Sequence, residues 1–233
     1  STKGLIKRTS LKEYESIRTN GKICVSLRDG DSLFDVKKTD GNCLIALAAS
    51  NGKVASFMES EVRPMGRGAS GVTGMNLKDG SEIVGFATSL EGDKILVLTS
   101  LGYGKVSYAK ETTTEDGQHY EGYRLTKRGA KGVATVNLTK KNGKLVTVRA
   151  VNGDEDILVI TQQGIVIRTP ISEIRICGRN TQGVKIINLQ EGQKVAACSI
   201  VPHQDPSEIA EEEITEEEGE NPTETPVNPD EVI

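Results

Sequence analysis

At 233 residues the chain is long enough for one or two domains with a sizeable core, and with 3% aromatic residues and no tryptophan it lacks the stacking platforms of a single-strand binder. Its formal net charge of -4 conceals a division: from Asp205 onward there are twelve acids and no base. Of 33 acids, 21 therefore face all 29 bases in residues 1–204, so the body is +8 and points to a polyanionic partner.

Along the chain, one pattern recurs at about fifty residues. Residues 1–42 carry its later parts only. A one- or two-turn helix at most, LKEYESI (11–17), precedes RTNGK (18–22). Because this unit begins after its opening run, the chain is expected to be part of a longer array. Residues 43–93 show the whole pattern: CLIALAAS, then NGKVASF, the segment SEVRPMGRGASG, the strand GVTGMNL and a glycine turn, KDGSEIVGF. Residues 94–155 repeat it with KILVLTS, GYGKVSY, RLTKRGAKG, GVATVNL and KNGKLVTV, interrupted by the polar insertion ETTTEDGQHYEG (111–122). Residues 156–202 close the series with DILVITQ, QGIVIRT, SEIRICGRNTQG, GVKIINL and EGQKVAAC. The turn glycines Gly30, Gly80, Gly143 and Gly192 mark the period, and the insertion explains the longer interval between the second and third. After Pro202, clustered Glu and Pro with few large apolar residues have the composition of a disordered tail, 203–233.

Each unit thus offers about four short runs rich in Val, Ile, Leu and Thr, bounded by Gly, Asn and Asp. That predicts an all-β fold of four-stranded antiparallel modules stacked as propeller blades or as a solenoid, since one such sheet cannot bury both faces alone. The glycines are expected to supply positive φ at turns and close approach between blades.

Two cations four residues apart recur in one connection of the module: Arg63 and Arg67, Arg124 and Arg128, Arg175 and Arg179. Arg18 and Lys22 hold a similar place in the first unit, although Gly21 there matches either of two glycines. Stacking would set these cations along one rim, and a periodic cationic rim can follow duplex phosphates without reading bases. Lys127, Lys131 and Lys185 complete the candidate DNA-binding set. The alternative is local pairing: Glu61 and Glu173 lie two residues before Arg63 and Arg175, where exposed ion pairs are worth ~0.2–1 kcal/mol.

No catalytic constellation is legible. GYGKVS and RGAKG do not match a phosphate loop, and the two histidines, His119 and His203, read as spectators. Cys24, Cys43, Cys177 and Cys198 form no CxxC pair, so free thiols and no metal site are expected. No apolar run approaches bilayer length and the N-terminus is unlike a signal peptide, which suggests a soluble cytoplasmic protein and no membrane partner.

GRNTQGVKIINL, the RxxGR-type segments, the SE strands and the acidic tail resemble the C-terminal domain of the bacterial DNA gyrase A subunit, over residues 1–202. The topoisomerase IV A subunit carries a related, more degenerate version. The resemblance implies a β-pinwheel, a propeller-like disc whose blades exchange strands, with double-stranded DNA bound and wrapped on its basic perimeter. It further implies service to ATP-dependent negative supercoiling by an A2B2 holoenzyme with the gyrase B subunit, in the bacterial cytoplasm at the nucleoid. The isolated domain would be a monomer without cofactor or catalytic residue, with ATP and magnesium used elsewhere in the holoenzyme; no tyrosine here sits in the context of the strand-cleaving nucleophile. The family's QRRGGRG-type box is not found, TKRGAKG (126–132) being only similar, so the paralogue stays open and the box is expected upstream. A protein-binding propeller also fits the period, but not the scarcity of aromatic anchors. The tail either competes with DNA for the basic disc or serves solubility alone.

Overall fold

The apolar runs become strands because β-branched and leucine side chains alternate within them and glycine turns end them. The computed structural model describes residues 1–17, 19–77 and 80–204; Arg18 and the acidic segment from Asp205 lie outside the described residues. Unit one supplies β1 (Leu5–Ile6) and a single 3-10 turn over Leu11–Tyr14. Unit two supplies β2 (Leu44–Ala49), β3 (Lys53–Met58), β4 (Val72–Thr73) and β5 (Ile83–Thr88). Unit three supplies β6 (Lys94–Thr99), β7 (Tyr103–Tyr108), a hairpin of β8 (Thr112–Thr113) and β9 (His119–Tyr120), then β10 (Val133–Ala134) and β11 (Leu145–Val151). The hairpin is the polar insertion. Unit four supplies β12 (Glu155–Thr161), β13 (Val166–Pro170), β14 (Val184–Lys185) and β15 (Val195–Pro202).

Repeat and sheet are out of register. In units two, three and four the third strand leaves its own sheet and pairs antiparallel with the second strand of the preceding unit: β4 with β1, β10 with β3, β14 with β7. A complete sheet therefore runs exchanged strand, second, first, fourth, as in β10-β3-β2-β5 and β14-β7-β6-β11. This is the strand exchange of a β-pinwheel. Periodicity alone predicts self-contained four-stranded modules; the exchange arises because the connection between second and third strands, Met58 to Val72 and Pro170 to Val184, and Tyr108 to Val133 where the insertion lengthens it, carries the chain across to the neighbour.

Glycine makes two close approaches possible. Gly132 has φ +80°, and a Cβ there would lie 2.7 Å from the Val54 carbonyl oxygen; Gly71 and Gly183 meet the matching carbonyls of Ile6 and Gly104 at 2.6 Å. Each sits at the entry to an exchanged strand, where the backbone must turn left-handed and press on the preceding blade. Gly85 lets β5 touch β11 in parallel at Val148, joining two blades into one eight-stranded sheet.

The core lies between blades. One cluster joins Cys43, Ile45, Phe57, Val62 and Met75 with Ile6 and Phe34 of unit one. A second unites Ala48, Val54 and Ala87 with Val97, Tyr123 and Val148, and a third unites Leu96, Leu98 and Val106 with Ile157, Val159 and Ile187. A four-stranded sheet has two apolar faces, and stacking covers both; each fully buried Leu, Ile or Phe contributes ~1.5–3 kcal/mol. Among the described residues no helix is long and apolar enough to cross a membrane.

Candidate nucleic-acid interface

Before each exchanged strand, the arginine-bearing loop first docks on the preceding blade. Met65 N donates to Arg8 O at 2.8 Å, Thr126 N to Ser56 O at 2.6 Å and Cys177 N to Val106 O at 2.8 Å, three equivalent bonds in three units. The loops also bond to one another in sequence. Ser26 N donates to Ala69 O, Asn76 N to Ala130 O and Asn137 N to Thr181 O, so the exchanged segment of each unit supports the loop of the next.

Two loops rest on a lysine. Lys105, fully buried in β7, donates from Nζ to Gly178 O at 2.7 Å, Arg179 O at 2.5 Å and Thr181 Oγ1 at 3.2 Å. Burial pulls its pKa down to about 7, with the nearby Arg179 guanidinium acting in the same direction. Lys7 holds the corresponding place in unit one and donates to the carbonyls of Cys24 and Arg67. Blade two has Ala55 at this position. There the loop is held from the side instead, by Arg128 N on Glu61 Oε2 at 2.9 Å and Arg128 Nε on Glu61 O at 3.2 Å.

The structure divides the arginine pairs. Arg63, Arg124 and Arg175 are exposed, and their side chains form no hydrogen bond or ion pair with any described residue. Glu61 and Glu173 do not pair with them; Glu61 accepts from Arg128. Arg67, Arg128 and Arg179 are half-buried and turn sideways. Arg67 Nη1 donates to Ile23 O at 3.3 Å, Arg128 Nη1 to Thr73 O at 2.6 Å and Arg179 Nη1 to Ala134 O at 3.4 Å. Those three carbonyls hold equivalent sequence positions, Thr73 and Ala134 in the exchanged strands β4 and β10 and Ile23 in the corresponding segment of unit one, which forms no strand. Arg179 also meets Glu121 of the insertion at 3.4 Å.

Lys127, Lys131 and Lys185 are exposed on or beside the same loops, without a side-chain partner among the described residues. Lys22 is half-buried, its Nζ 3.4 Å from Glu13 O. Arg18 is outside the described residues. Sequence reasoning missed Lys7 and Lys105; the available signal was a lysine three residues after the strand glycine in two otherwise apolar runs, GLIK and GYGK.

Two other polar clusters are internally satisfied. Asp40, Cys43 and Glu59 have the proximity of metal ligands. The Glu59 carboxylate, however, already accepts from Thr39 Oγ1, Gly41 N and Cys43 Sγ, and burial together with Glu59 pushes the Cys43 thiol up to about 12, which makes it a poor ligand. Asp156 is buried under Arg168 and His203 at 2.7 Å each. Burial opposes its charge, yet hydrogen bonds from His203 and Arg168 hold the carboxyl below its usual range. His203 and Gln204, grouped with the tail on composition, are thus held on blade four, Gln204 through Arg168.

A model of the DNA gyrase C-terminal domain, beta-propeller, matches residues 1–40, 44–89, 121–152 and 155–202. The chain is 43% identical over 217 residues to the DNA gyrase A subunit of Ureaplasma parvum serovar 3, covering 93% of this chain and 24% of that protein. It is 46% identical over 188 residues to the same protein of Metamycoplasma arthritidis, covering 81% and 20%. It is 38% identical over 218 residues to that of Staphylococcus aureus, covering 93% and 23%. The chain thus spans about a quarter or less of the curated relatives it matches. Among solved structures, a C-terminal domain of DNA topoisomerase IV superposes with TM-score 0.77 at 26% identity, covering 93% of this chain and 64% of that one. A DNA gyrase A C-terminal domain superposes with TM-score 0.68 at 24% identity, covering 86% and 63%.

Proposed function

This chain belongs to the DNA gyrase C-terminal domain, beta-propeller, family, and on that footing we propose that it binds duplex DNA without reading sequence and bends it along the arginine loops. The observation that supports this reading is the trio Arg63, Arg124 and Arg175: equivalent, exposed cations without a partner among the described residues, on consecutive loops of a body carrying +8. Guanidinium groups held in this way bind phosphate oxygens by charge and by fork geometry, and release condensed counterions as they do so. Lys127, Lys131 and Lys185 widen the same track, and Arg18, Lys22, Arg67, Arg128 and Arg179 add their charge to it. With aromatic residues only 3% of the chain and no tryptophan, the contact is assigned to the DNA backbone.

In the parent protein, bending delivers a nearby DNA segment to a strand-passage gate formed by other domains, with a handedness set by the track. The work proposed for the whole assembly is ATP-dependent negative supercoiling by two A and two B subunits, with this domain contributing no catalytic group. A gyrase parent is preferred over a topoisomerase IV parent, because curated gyrase A subunits match at 37–46% identity over 81–93% of the chain.

The experiment is a titration of the 233-residue protein against two unrelated duplexes of roughly 40 base pairs across a range of KCl. Six phosphate contacts give a slope of log affinity against log salt near ~5, equal for both sequences. A flat salt response, or strong preference for one duplex, refutes the reading.

A further inference from the structure

The second arginine of each pair does something other than the first. Arg67, Arg128 and Arg179 reach across to one repeated target: the carbonyl two residues after the glycine that opens the preceding unit's exchanged segment, at Ile23, Thr73 and Ala134. In the opposite direction, the backbone N–H of Ser26, Asn76 or Asn137 in that segment donates to the loop carrying the arginine. Each junction between neighbouring loops is therefore bonded from both sides; the first adds Ser26 Oγ on Gly68 O at 2.8 Å and the second Gly129 N on Gly74 O at 2.7 Å. Exposed Arg63, Arg124 and Arg175 ride on those loops, four residues before the tie.

We infer that Arg67, Arg128 and Arg179 are positioning residues, whose lateral bonds to Ile23, Thr73 and Ala134 set the step from one exposed arginine to the next and so the curvature imposed on bound DNA. The inference deepens the proposed function and rests on it. The vertical placement of a loop has separate support. Lys7 and Lys105 hold two loops from the blade beneath; the third, over Ala55, has no such lysine and is held from the side by Arg128 on Glu61. Sliding of one loop past the next is opposed by the lateral bonds alone, and the guanidinium is the side chain that crosses that gap in all three junctions. A planar fork on a long stem suits this task, because it can bond a carbonyl laterally while its charge still contributes to the track.

The test separates charge from position. Three proteins are compared: the unaltered 233-residue chain, the triple Arg67→Gln/Arg128→Gln/Arg179→Gln, and the single Arg128→Lys. Three quantities are read: the salt slope on a roughly 40-base-pair duplex, end-to-end energy transfer in a roughly 100-base-pair duplex as a measure of bending, and amide exchange in residues 21–27, 71–77 and 132–138. Because the tied arginines add long-range charge and make no phosphate contact of their own, both variants are expected to keep the slope within about 0.9, one phosphate contact, while bending falls by about half or more and exchange in those segments quickens. Arg128→Lys keeps its charge, so a phosphate-contact role would leave its bending intact, and that result overturns the inference. So does a slope reduced by ~2.7 in the triple, the value for three lost contacts. Unchanged bending with unchanged slope overturns it as well. If the triple does not fold, Arg128→Lys carries the decision. Absence of salt-dependent binding by the unaltered chain would instead defeat the functional reading; faster exchange in the variants would then still support the lateral tie, and unchanged exchange would remove it.

Discussion

Replacing Arg63, Arg124 and Arg175 together by glutamine removes three cations whose side chains form no hydrogen bond or ion pair with any described residue, so the perturbation falls on binding and spares the fold. Each neutralised phosphate contributes ~0.9 to the slope of log affinity against log salt, so the triple lowers that slope by ~2.7. Taking 1 M salt as the point where the counterion term vanishes, affinity falls ~500-fold at 0.1 M and ~25-fold at 0.3 M. Loss of exposed surface charges far from one another should leave stability within about 0.5 kcal/mol. The assay is fluorescence anisotropy of a labelled duplex titrated at five KCl concentrations, beside a control triple in which the exposed turn lysines Lys140, Lys144 and Lys194 become glutamine. Both triples reduce the body's charge equally, from +8 to +5. If the control lowers the slope as much as the arginine triple, binding follows diffuse charge, and the idea of a track with fixed contact points is wrong.

Gly132→Ala forces a left-handed residue and a Cβ against the Val54 carbonyl, and a loss of ~1–3 kcal/mol is expected in urea unfolding; Gly117→Ala, with open space around its Cβ but also φ +80°, should cost less. Leu98→Ala opens a cavity between blades three and four and should cost ~2–5 kcal/mol by the same measurement. Lys105 has its pKa lowered to about 7 in the folded protein, against 10.5 for an unhindered lysine. Between those values the unfolded chain binds the extra proton, so this residue adds stability as pH rises from 7, by at most ~1.4 kcal/mol per unit. The urea midpoint of the protein relative to Lys105→Met should therefore climb between pH 7 and 9, and a constant difference would refute the buried charge. Truncation after Gln204 removes the twelve acids while keeping the Asp156 contacts of His203, and duplex affinity at low salt should rise; unchanged affinity assigns the acidic segment no competition with DNA.

Much of this protein could be read from its residues. The fifty-residue period, the strand content, the positive-φ turns at Gly30, Gly80, Gly143 and Gly192 and the single turn at residues 11–14 all follow from local chemistry, as does the separation of a +8 body from an acidic end. These properties depend on neighbours a few residues away, and a repeat prints them several times. Only the tertiary structure decided which member of each arginine pair is without a partner among the described residues, which strand of a unit is the one exchanged, and that a lysine inside the run GYGKVSY is a buried support. Arg63 and Arg67 are chemically identical and four residues apart. What distinguishes them is a carbonyl at Ile23, more than forty residues away in sequence, which strand exchange brings within reach of one guanidinium and not the other.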